Sequence, residues 1–270
     1  MTTTGNRPAP VVFAIANQKG GVGKTTTAVN LGADLAARGV RTLVIDFDPQ
    51  ANATAALGLS DPGRLSVYDV VIDEEPLANV IIETSQPGLY LAPAGPDLAG
   101  AEVELVPAMA REQRLRNAIA ALDGAYEAII IDCPPSLGLL TLNGLTAATQ
   151  VLVPVQCEYL ALEGLSQLTR TLDAVKRALN PGLNLGGLLL TMYDSRTSLC
   201  RQVAAEVRSH FPSTFVTAIP RSVRVSEAPS HGLPINQYAA SSPAAKAYAA
   251  FANEVIRTFL PDHARSEVRR

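Results

Sequence analysis

The stretch VVFAIANQKGGVGKTT, residues 11–26, decides the fold of this chain. It joins an apolar run, predicted as a β-strand over Val11–Ala16, to a helical pattern that starts at Thr25. The glycines between them let the backbone turn tightly and bring its N–H groups close to an anion. The positive end of the helix dipole favours negative charge at the same place. This strand–loop–helix unit therefore predicts a phosphate-binding site.

The loop departs from the usual phosphate-binding pattern at one position. That pattern has a glycine five residues before Gly23, whereas this chain has Gln18 there. A second lysine, Lys19, follows directly, so two of the four lysines lie in this loop although the chain has eighteen arginines. A compact, flexible cation is therefore favoured at Lys19 as well as at Lys24. A solvated loop charge is the simpler alternative for Lys19.

The residue types in the loop match the groups of a nucleotide. Lys24 is expected to reach the β- and γ-phosphates, and the Thr25 hydroxyl to ligate Mg²⁺. ATP or ADP with Mg²⁺ is therefore the predicted cofactor. The predicted nucleotide contacts of the loop are Gln18, Lys19, Gly20, Gly21, Val22, Gly23, Lys24, Thr25 and Thr26.

Composition and charge limit the classes of protein. With 270 residues, 47% of them hydrophobic, the chain can bury the core of one large domain. No apolar run reaches the roughly 18 residues of a transmembrane helix. The net charge of −3 argues against a chain that is basic throughout, so DNA binding needs a local patch. Three well-separated cysteines favour neither disulfides nor a zinc site, and they predict a cytoplasmic protein.

Short apolar runs alternate with helical patterns, as in βαβ units. The predicted fold is α/β and P-loop NTPase-like, with a mostly parallel twisted sheet and helices on both faces. We predict a disordered tail over residues 1–10, one ATPase domain over 11–260 and a polar tail over 261–270. Predicted strands are Val11–Ala16, Arg41–Asp46, Leu89–Ala92, Ala128–Asp132, Gln150–Val155, Leu185–Met192 and Phe215–Ile219. Predicted helices are Thr25–Arg38, Arg111–Leu122, Leu139–Ala147, Leu162–Leu179, Leu199–His210 and Pro243–Phe259.

Acidic residues follow two of the predicted strands. Ligands of an open parallel sheet bind beyond the carboxyl ends of its strands, so these acids are expected at the same edge as the glycine loop. Asp132 suits a carboxylate that holds Mg²⁺ through water. Asp48 suits a residue that positions the attacking water, whereas Asp46 is interpreted as structural. The predicted catalytic residues are Lys19, Lys24, Asp48 and Asp132.

An apolar stripe marks the last predicted helix, at Tyr248, Phe251, Val255, Ile256 and Phe259. Such a stripe could enter a membrane surface. Docking on the sheet is expected instead, because the opposite face has few basic residues and the following segment, PDHARSEVRR, is polar. No stable membrane association is predicted.

Seven segments together resemble a known family. They are KGGVGKTTT, DFDPQANAT, AGAEVELV, IIIDCPPSLGLLT, PVQCEYLALEGLSQL, LLLTMYDSRTSL and IPRSVRVSEAPSHGLPI. Over about residues 11 to 256 they look like the chromosomal ParA/Soj ATPases of bacterial partition systems. The loop alone marks the wider deviant Walker A superfamily, which also holds MinD, nitrogenase iron proteins and dethiobiotin synthetases. Two segments, QCEYLALEG and IPRSVRVSEAPSHG, make the resemblance specific to ParA/Soj within that superfamily.

The resemblance implies an ATP-bound sandwich homodimer. Lys19 would cross to the nucleotide of the other subunit, Gly20 would lie at the tight dimer contact, and Glu158 would approach the partner's nucleotide. Asp48 would be needed for hydrolysis, and Asp132 would be the Walker B acid. The positions that match an adenine pocket are Met192, Pro220 and Arg221. Slow basal turnover is expected, because the loop region offers no arginine finger.

The resemblance also implies non-specific binding of double-stranded DNA by the ATP-bound dimer. Arg196 and Arg224 match the arginines with that role, and residues 191–232 hold five arginines against three acids. A ParB/Spo0J-like centromere-binding partner would stimulate hydrolysis. The protein would then be cytoplasmic and nucleoid-associated, and would drive chromosome or plasmid segregation.

Three alternatives make different demands on the sequence. A MinD-like membrane-cycling ATPase would need a basic amphipathic C-terminal helix. An iron–sulfur reductase would need paired interface cysteines in glycine-rich loops, whereas Cys133 lies in a proline-flanked segment. A small-molecule ATP-dependent ligase is disfavoured, because no substrate motif is visible beyond the phosphate site.

Overall fold

The computed structural model describes residues 9–59, 65–158, 161–261 and 263 of the chain. Within these residues, eight strands form one sheet in the order β3-β4-β2-β5-β1-β6-β7-β8. Neighbouring strands are parallel except β3 and β4, so the predicted mostly parallel sheet is confirmed. The strands are β1 (Val11–Ile15), β2 (Thr42–Asp46), β3 (Ile82–Glu83), β4 (Leu89–Ala92), β5 (Ala128–Asp132), β6 (Gln150–Gln156), β7 (Asn184–Tyr193) and β8 (Thr214–Pro220).

Helices connect the strands and cover the sheet. They are α1 (Lys24–Ala36), α2 (Asn52–Ala56), α3 (Val67–Ile72), α4 (Leu77–Val80), α5 (Leu98–Glu104), α6 (Arg114–Ala120), α7 (Leu139–Ala147), α8 (Ala161–Ala178), α9 (Ser198–His210), α10 (Val223–Glu227), α11 (Ile235–Tyr238) and α12 (Pro243–Phe259), with a 3₁₀-helix over Ala228–His231. The predicted tails, residues 1–10 and 261–270, lie largely outside the described residues and stay predictions. No helix in the described part of the chain is long and apolar enough to span a bilayer.

The central strands are apolar along their length because helices cover both faces of the sheet. Every side chain of β5, AIIID, is fully buried. Its alternate residues enter two different cores: Ile129 and Ile131 pack on one face, and Ile130 on the other. Helices α3 to α9 complete the first core, and α1, α2, α11 and α12 the second. The parallel strands therefore lack the polar–apolar alternation of a half-exposed sheet.

The apolar stripe of α12 belongs to the second core. Tyr248, Phe251, Val255 and Ile256 are each at most 4% exposed. The ring of Phe259 meets Phe13 of β1 edge-on, with 5.5 Å between centroids. The helix thus docks on the sheet, as the sequence predicted, and its apolar face is unavailable to a membrane.

Several element boundaries differ from the sequence prediction. The helix predicted over Arg111–Leu122 covers only Arg114–Ala120, because turns occupy the preceding residues and Ala110 has a φ of +51°. The sequence analysis missed β3 and the short helices α2 to α5, α10 and α11. These elements have two to seven residues, too few to show a helical or strand period.

The packing of α1 on the sheet gives a testable prediction at Gly32. A Cβ there would lie 2.8 Å from Val44 Cγ2 and 3.2 Å from Leu89 Cδ1. We expect Gly32→Ala to lower the free energy of unfolding by about 1 kcal/mol or more, because overpacking exceeds the gain in helix propensity. Urea denaturation measures the change. The matched control is Gly164→Ala in α8, where a Cβ meets no atom within 4 Å and the change should be neutral or stabilising. Equal losses in both variants would contradict crowding at Gly32.

Candidate functional site

The glycine loop runs from β1 into α1, a helix whose N-terminus has no side-chain cap. Gly21 and Gly23 have φ angles of +74° and +89°, which glycine adopts without strain. Apart from its chain neighbours, no described residue has a heavy atom within 4 Å of a Cβ built on Gly21. The loop therefore borders an open space lined by uncapped helix amides, the arrangement that a phosphate group requires.

Three polar contacts that the sequence motifs did not indicate hold this loop in place. The Thr191 hydroxyl of β7 donates to the Val22 carbonyl at 2.8 Å. Asn17 donates its side-chain amide to the Pro154 carbonyl of β6 at 2.7 Å, and its oxygen accepts from the Lys19 amide at 3.0 Å. The available signal was a polar residue at the end of an apolar strand. The loop is thus fastened to β6 and β7, which lie on the same side of β1.

Lys24 is the first residue of α1 and is only 7% exposed. Its ammonium donates to the Lys19 carbonyl at 3.5 Å. Burial lowers the pKa of Lys24, while the nearby charges of Asp132 and Asp48 raise it. A buried ammonium beside an open glycine loop is placed to contact the phosphates of a bound nucleotide.

Asp46 and Asp132 end the adjacent strands β2 and β5 and are paired in register. Neither side chain is exposed, and both carboxylate oxygens of Asp132 are buried without a hydrogen-bond partner among the described residues. Burial raises the pKa of Asp132 well above its usual value, and the Asp46 charge raises it further, while Thr25 and Lys24 oppose the shift. The Asp132 carboxylate is thus shielded from solvent, with the Thr25 hydroxyl and the Lys24 ammonium nearby.

These groups fit a magnesium ion. An unpartnered buried carboxylate is stabilised by a cation or by the water that a cation carries. Mg²⁺ prefers oxygen ligands and keeps several waters when it is bound with a nucleotide. Thr25 would supply a hydroxyl ligand, and Asp132 would hold the ion through water.

Asp46 and Asp48 have different partners although one residue separates them. Asp46 accepts from the amide and the hydroxyl of Thr54, each at 2.7 Å, and from the Asp48 amide at 3.3 Å. Burial raises the pKa of Asp46 to about 6. Asp48, 6% exposed, accepts from the Gln50 amide at 3.0 Å. Asp46 therefore fastens α2 to the sheet, while the charge of Asp48 lies close enough to act on Lys24.

Lys19 and Glu158 form an ion pair within one chain, with 2.5 Å between Nζ and Oε2. The two side chains are 44% and 49% exposed, so the pair lies at the surface of the site. The family resemblance implies that both residues contact a partner's nucleotide, and that role stays a prediction. The structure adds that each is the other's counter-ion in the single chain.

A cavity of about 430 Å³ adjoins the phosphate loop. The three residues predicted to line an adenine pocket, Met192, Pro220 and Arg221, all border it, as do Gly23 and Thr26. Met192 has a φ of +50°, a strained conformation that clusters at ligand sites. The volume lies in the range of small-molecule sites. The tertiary structure thus brings the ends of β7 and β8 to the phosphate loop.

The two predicted DNA-binding arginines lie at the surface outside this cavity. The Arg196 guanidinium donates two hydrogen bonds to the Asp194 carboxylate, at 2.9 and 2.7 Å, and this interaction lowers the pKa of Asp194 to about 2. Arg224 of α10 donates to Glu227 at 3.1 Å. The side chains of the arginines are 87% and 62% exposed. Each arginine therefore has a carboxylate partner in the single chain and still faces solvent.

Comparison with known proteins identifies similar chains. Residues 11–185 match the AAA domain family. The chain is 50% identical to the chromosome partitioning protein ParA of Myxococcus xanthus, over 95% of this chain and 92% of that protein. It is 53% identical to the sporulation initiation inhibitor protein Soj of Bacillus subtilis, over 90% and 97%. The structure of cobyrinic acid a,c-diamide synthase from Mycobacterium smegmatis with bound ADP and magnesium has a TM-score of 0.81 and 42% identity, covering 92% and 94%.

The parallel sheet and the phosphate loop at its carboxyl edge define a P-loop NTPase. ATP or ADP with Mg²⁺ is its cofactor, and ATP hydrolysis is its reaction. The chain belongs to the ParA/Soj family of chromosome-partitioning ATPases.

The two loop lysines should differ in nucleotide binding. We expect Lys24→Ala to weaken Mg-ADP binding by about 100-fold or more, because alanine cannot donate the charge-assisted hydrogen bonds that hold phosphate. Lys19→Ala, the matched control in the same loop, should retain ADP affinity within about 3-fold, since its side chain is half exposed and paired with Glu158. Titration with a fluorescent ADP measures both. Parent-like affinity in Lys24→Ala would show that its ammonium does not bind phosphate.

Proposed function

We propose that this protein is an ATP-driven DNA-partitioning switch. Two ATP-bound chains close face to face over their nucleotides, and the dimer binds double-stranded DNA without sequence preference. A ParB/Spo0J-like centromere-binding partner stimulates hydrolysis, which separates the dimer and releases DNA. The protein then cycles between the nucleoid and the cytoplasm. The synthase name of the Mycobacterium structure suggests a different activity, but the two named relatives are more similar in sequence.

The observation that carries the dimer is the environment of Gly20. The positive φ angles of Gly21 and Gly23 explain those glycines, but Gly20 is not among the residues with positive φ. No heavy atom lies within 4 Å of a Cβ built on it. Nothing within the described part of the chain therefore requires a glycine here. A second subunit that approaches the loop closely would supply the missing reason.

The ion pair of Lys19 and Glu158 suits an exchange of partners on dimerisation. A pair this exposed contributes only about 0–1 kcal/mol, so it can open at little cost. Once the subunits close, Lys19 reaches the phosphates held by the other chain, where water is excluded and a positive charge stabilises the transition state. Dimerisation is thereby coupled to the nucleotide that is bound.

The arginine pairs suit exchangeable binding of DNA in the same way. Arg196 and Arg224 are held by carboxylates at the surface, and a DNA phosphate can replace such a partner. Dimerisation doubles the number of these arginines on one particle, so the affinity for DNA should depend on ATP and fall steeply with salt. A membrane-cycling role is less well supported, because the apolar face of α12 is buried in the core.

The substitution Gly20→Val tests the dimer directly. We expect the variant to fold and to bind ATP, because its side chain points into open space, but to remain a monomer. Sedimentation with a non-hydrolysable ATP analogue measures the change. Gly182→Val is the matched control, because Gly182 is exposed in the loop before β7, at the opposite edge of the sheet. A Gly20→Val variant that dimerises like the parent would refute close approach of a partner at this loop.

The substitution Arg224→Glu tests the DNA surface. The variant should still dimerise with ATP but fail to be retained on non-specific duplex DNA. The log–log salt slope should fall by about 0.9 for each phosphate that the dimer no longer neutralises. Arg177→Glu, the control, makes the same charge change on an exposed residue at the far end of α8. Equally weak binding in the two variants would indicate a general charge effect. A monomeric Arg224→Glu variant would make this arginine structural.

A further inference from the structure

The segment AGAEVELV, residues 99–106, contributes nothing to the nucleotide site described above, yet it contacts the first residues of α7, where the loop that follows β5 ends. Leu98 and Ala101 of α5, and Leu105 just after it, are fully buried in the first core. Glu102 lies on the side of α5 that meets α7. Its carboxylate is therefore carried by a well-anchored helix to the end of the loop after Asp132.

Glu102 caps α7 from outside that helix. Its Oε2 accepts from the Leu139 amide at 2.7 Å, and its Oε1 accepts from the Leu140 amide at 3.3 Å. These residues open α7, and its N-cap, Gly138, has no side chain with which to cap it. Free N–H groups and the helix dipole both stabilise a carboxylate at this position. Glu102 thus performs the function that an Asp or Ser at position 138 would usually perform.

The contact with Glu102, and not the backbone conformation, accounts for glycine at position 138. Its φ of −85° and ψ of −168° are extended values that any residue adopts. A Cβ on Gly138 would nevertheless lie 2.6 Å from the Glu102 carboxyl carbon and closer still to both oxygens. A side chain at position 138 would therefore displace the Glu102 carboxylate from its present place.

The loop between these groups, residues 133–138, emerges beside the phosphate loop at the carboxyl edge of the sheet. It begins where the Cys133 amide donates to the Ile15 carbonyl of β1 at 3.2 Å. The Ser136 carbonyl accepts from the Thr141 hydroxyl at 2.6 Å. At the other end of the loop, Glu102 accepts hydrogen bonds from the first two amides of α7. The loop is thus tied at its start to the strand that leads into the phosphate loop and at its end to α5.

We propose that Glu102 is a positioning residue for ATP hydrolysis. Its carboxylate holds residues 133–138 in the conformation in which the site turns over ATP, while nucleotide binding itself depends on the phosphate loop. The inference rests on the ATPase activity of the family and on the Mg²⁺ role proposed for Asp132. It does not depend on DNA binding.

The test separates turnover from binding in the full chain without DNA. We expect Glu102→Ala to lower kcat by about 10-fold and to change ADP affinity by less than about 3-fold. Glu102→Gln keeps one acceptor oxygen and should have a smaller effect. Glu104→Ala is the matched control, because Glu104 lies on the same helix and carries the same charge, and its carboxylate accepts from the Tyr68 hydroxyl at 2.8 Å, away from α7. It should retain the parent kcat.

A double-mutant cycle with Gly138→Ala tests the contact itself. In the parent, the added methyl displaces the carboxylate and should lower kcat by about 5-fold or more; in Glu102→Ala the same methyl has nothing to displace and should change kcat by less than about 2-fold. If Glu102→Ala does not fold, Gly138→Ala and Glu102→Gln still test the contact, because both are smaller changes to the structure.

Three results would overturn the proposal: a parent-like kcat in Glu102→Ala, a fall in ADP affinity as large as the fall in kcat, or additive effects in the cycle. A parent protein that hydrolyses ATP but does not bind DNA would overturn the proposed partition switch and leave this result standing.

Discussion

Four charged side chains are buried together at the carboxyl edge of the sheet, and the rest of the site is arranged around them. Asp46 and Asp132 are not exposed at all, and Asp48 and Lys24 are 6% and 7% exposed. Burial raises the pKa of Asp46 and Asp132, and the excess of negative charge among three carboxylates and one ammonium raises it further. A divalent cation with a nucleotide supplies the missing positive charge and the missing hydrogen-bond donors. The site is thus built to be completed by Mg²⁺ and phosphate.

Three different constraints account for the glycines of the site. Gly21 and Gly23 are set by their left-handed backbone, and Gly138 by the carboxylate that approaches it. Gly20 has neither reason within the described residues, so its constraint is sought in a second subunit. A glycine in a motif is therefore informative only once its dihedral angles and its surroundings are known.

The charged groups divide into those that build the site and those that can exchange partners. Among the buried acids, Asp46 is fixed by the amide and the hydroxyl of Thr54, and moving it would leave unpaired polar groups. The pairs of Lys19, Arg196 and Arg224 are exposed and individually weak. In the proposed switch, this division lets one rigid site serve a protein that changes partners with each cycle of hydrolysis.

The sequence by itself determined the strand–loop–helix unit, the mostly parallel sheet and the placement of Asp48 and Asp132 near the phosphate loop. These features follow from local patterns, and from the rule that parallel strands share one carboxyl edge. The family resemblance added the adenine-pocket positions Met192, Pro220 and Arg221, which no local pattern marks.

Only the tertiary structure decided that Thr54 is the partner of Asp46, where Met192, Pro220 and Arg221 meet, and that Thr191, Asn17 and Glu102 hold the loops. The partners Thr191 and Val22 are 169 residues apart in sequence, and Asn17 and Pro154 are 137 apart. Such contacts depend on how distant elements pack, because a side-chain hydrogen bond requires a fit within a few tenths of an ångström. A periodic pattern shows which face of an element is buried, but not which polar atom it will meet there.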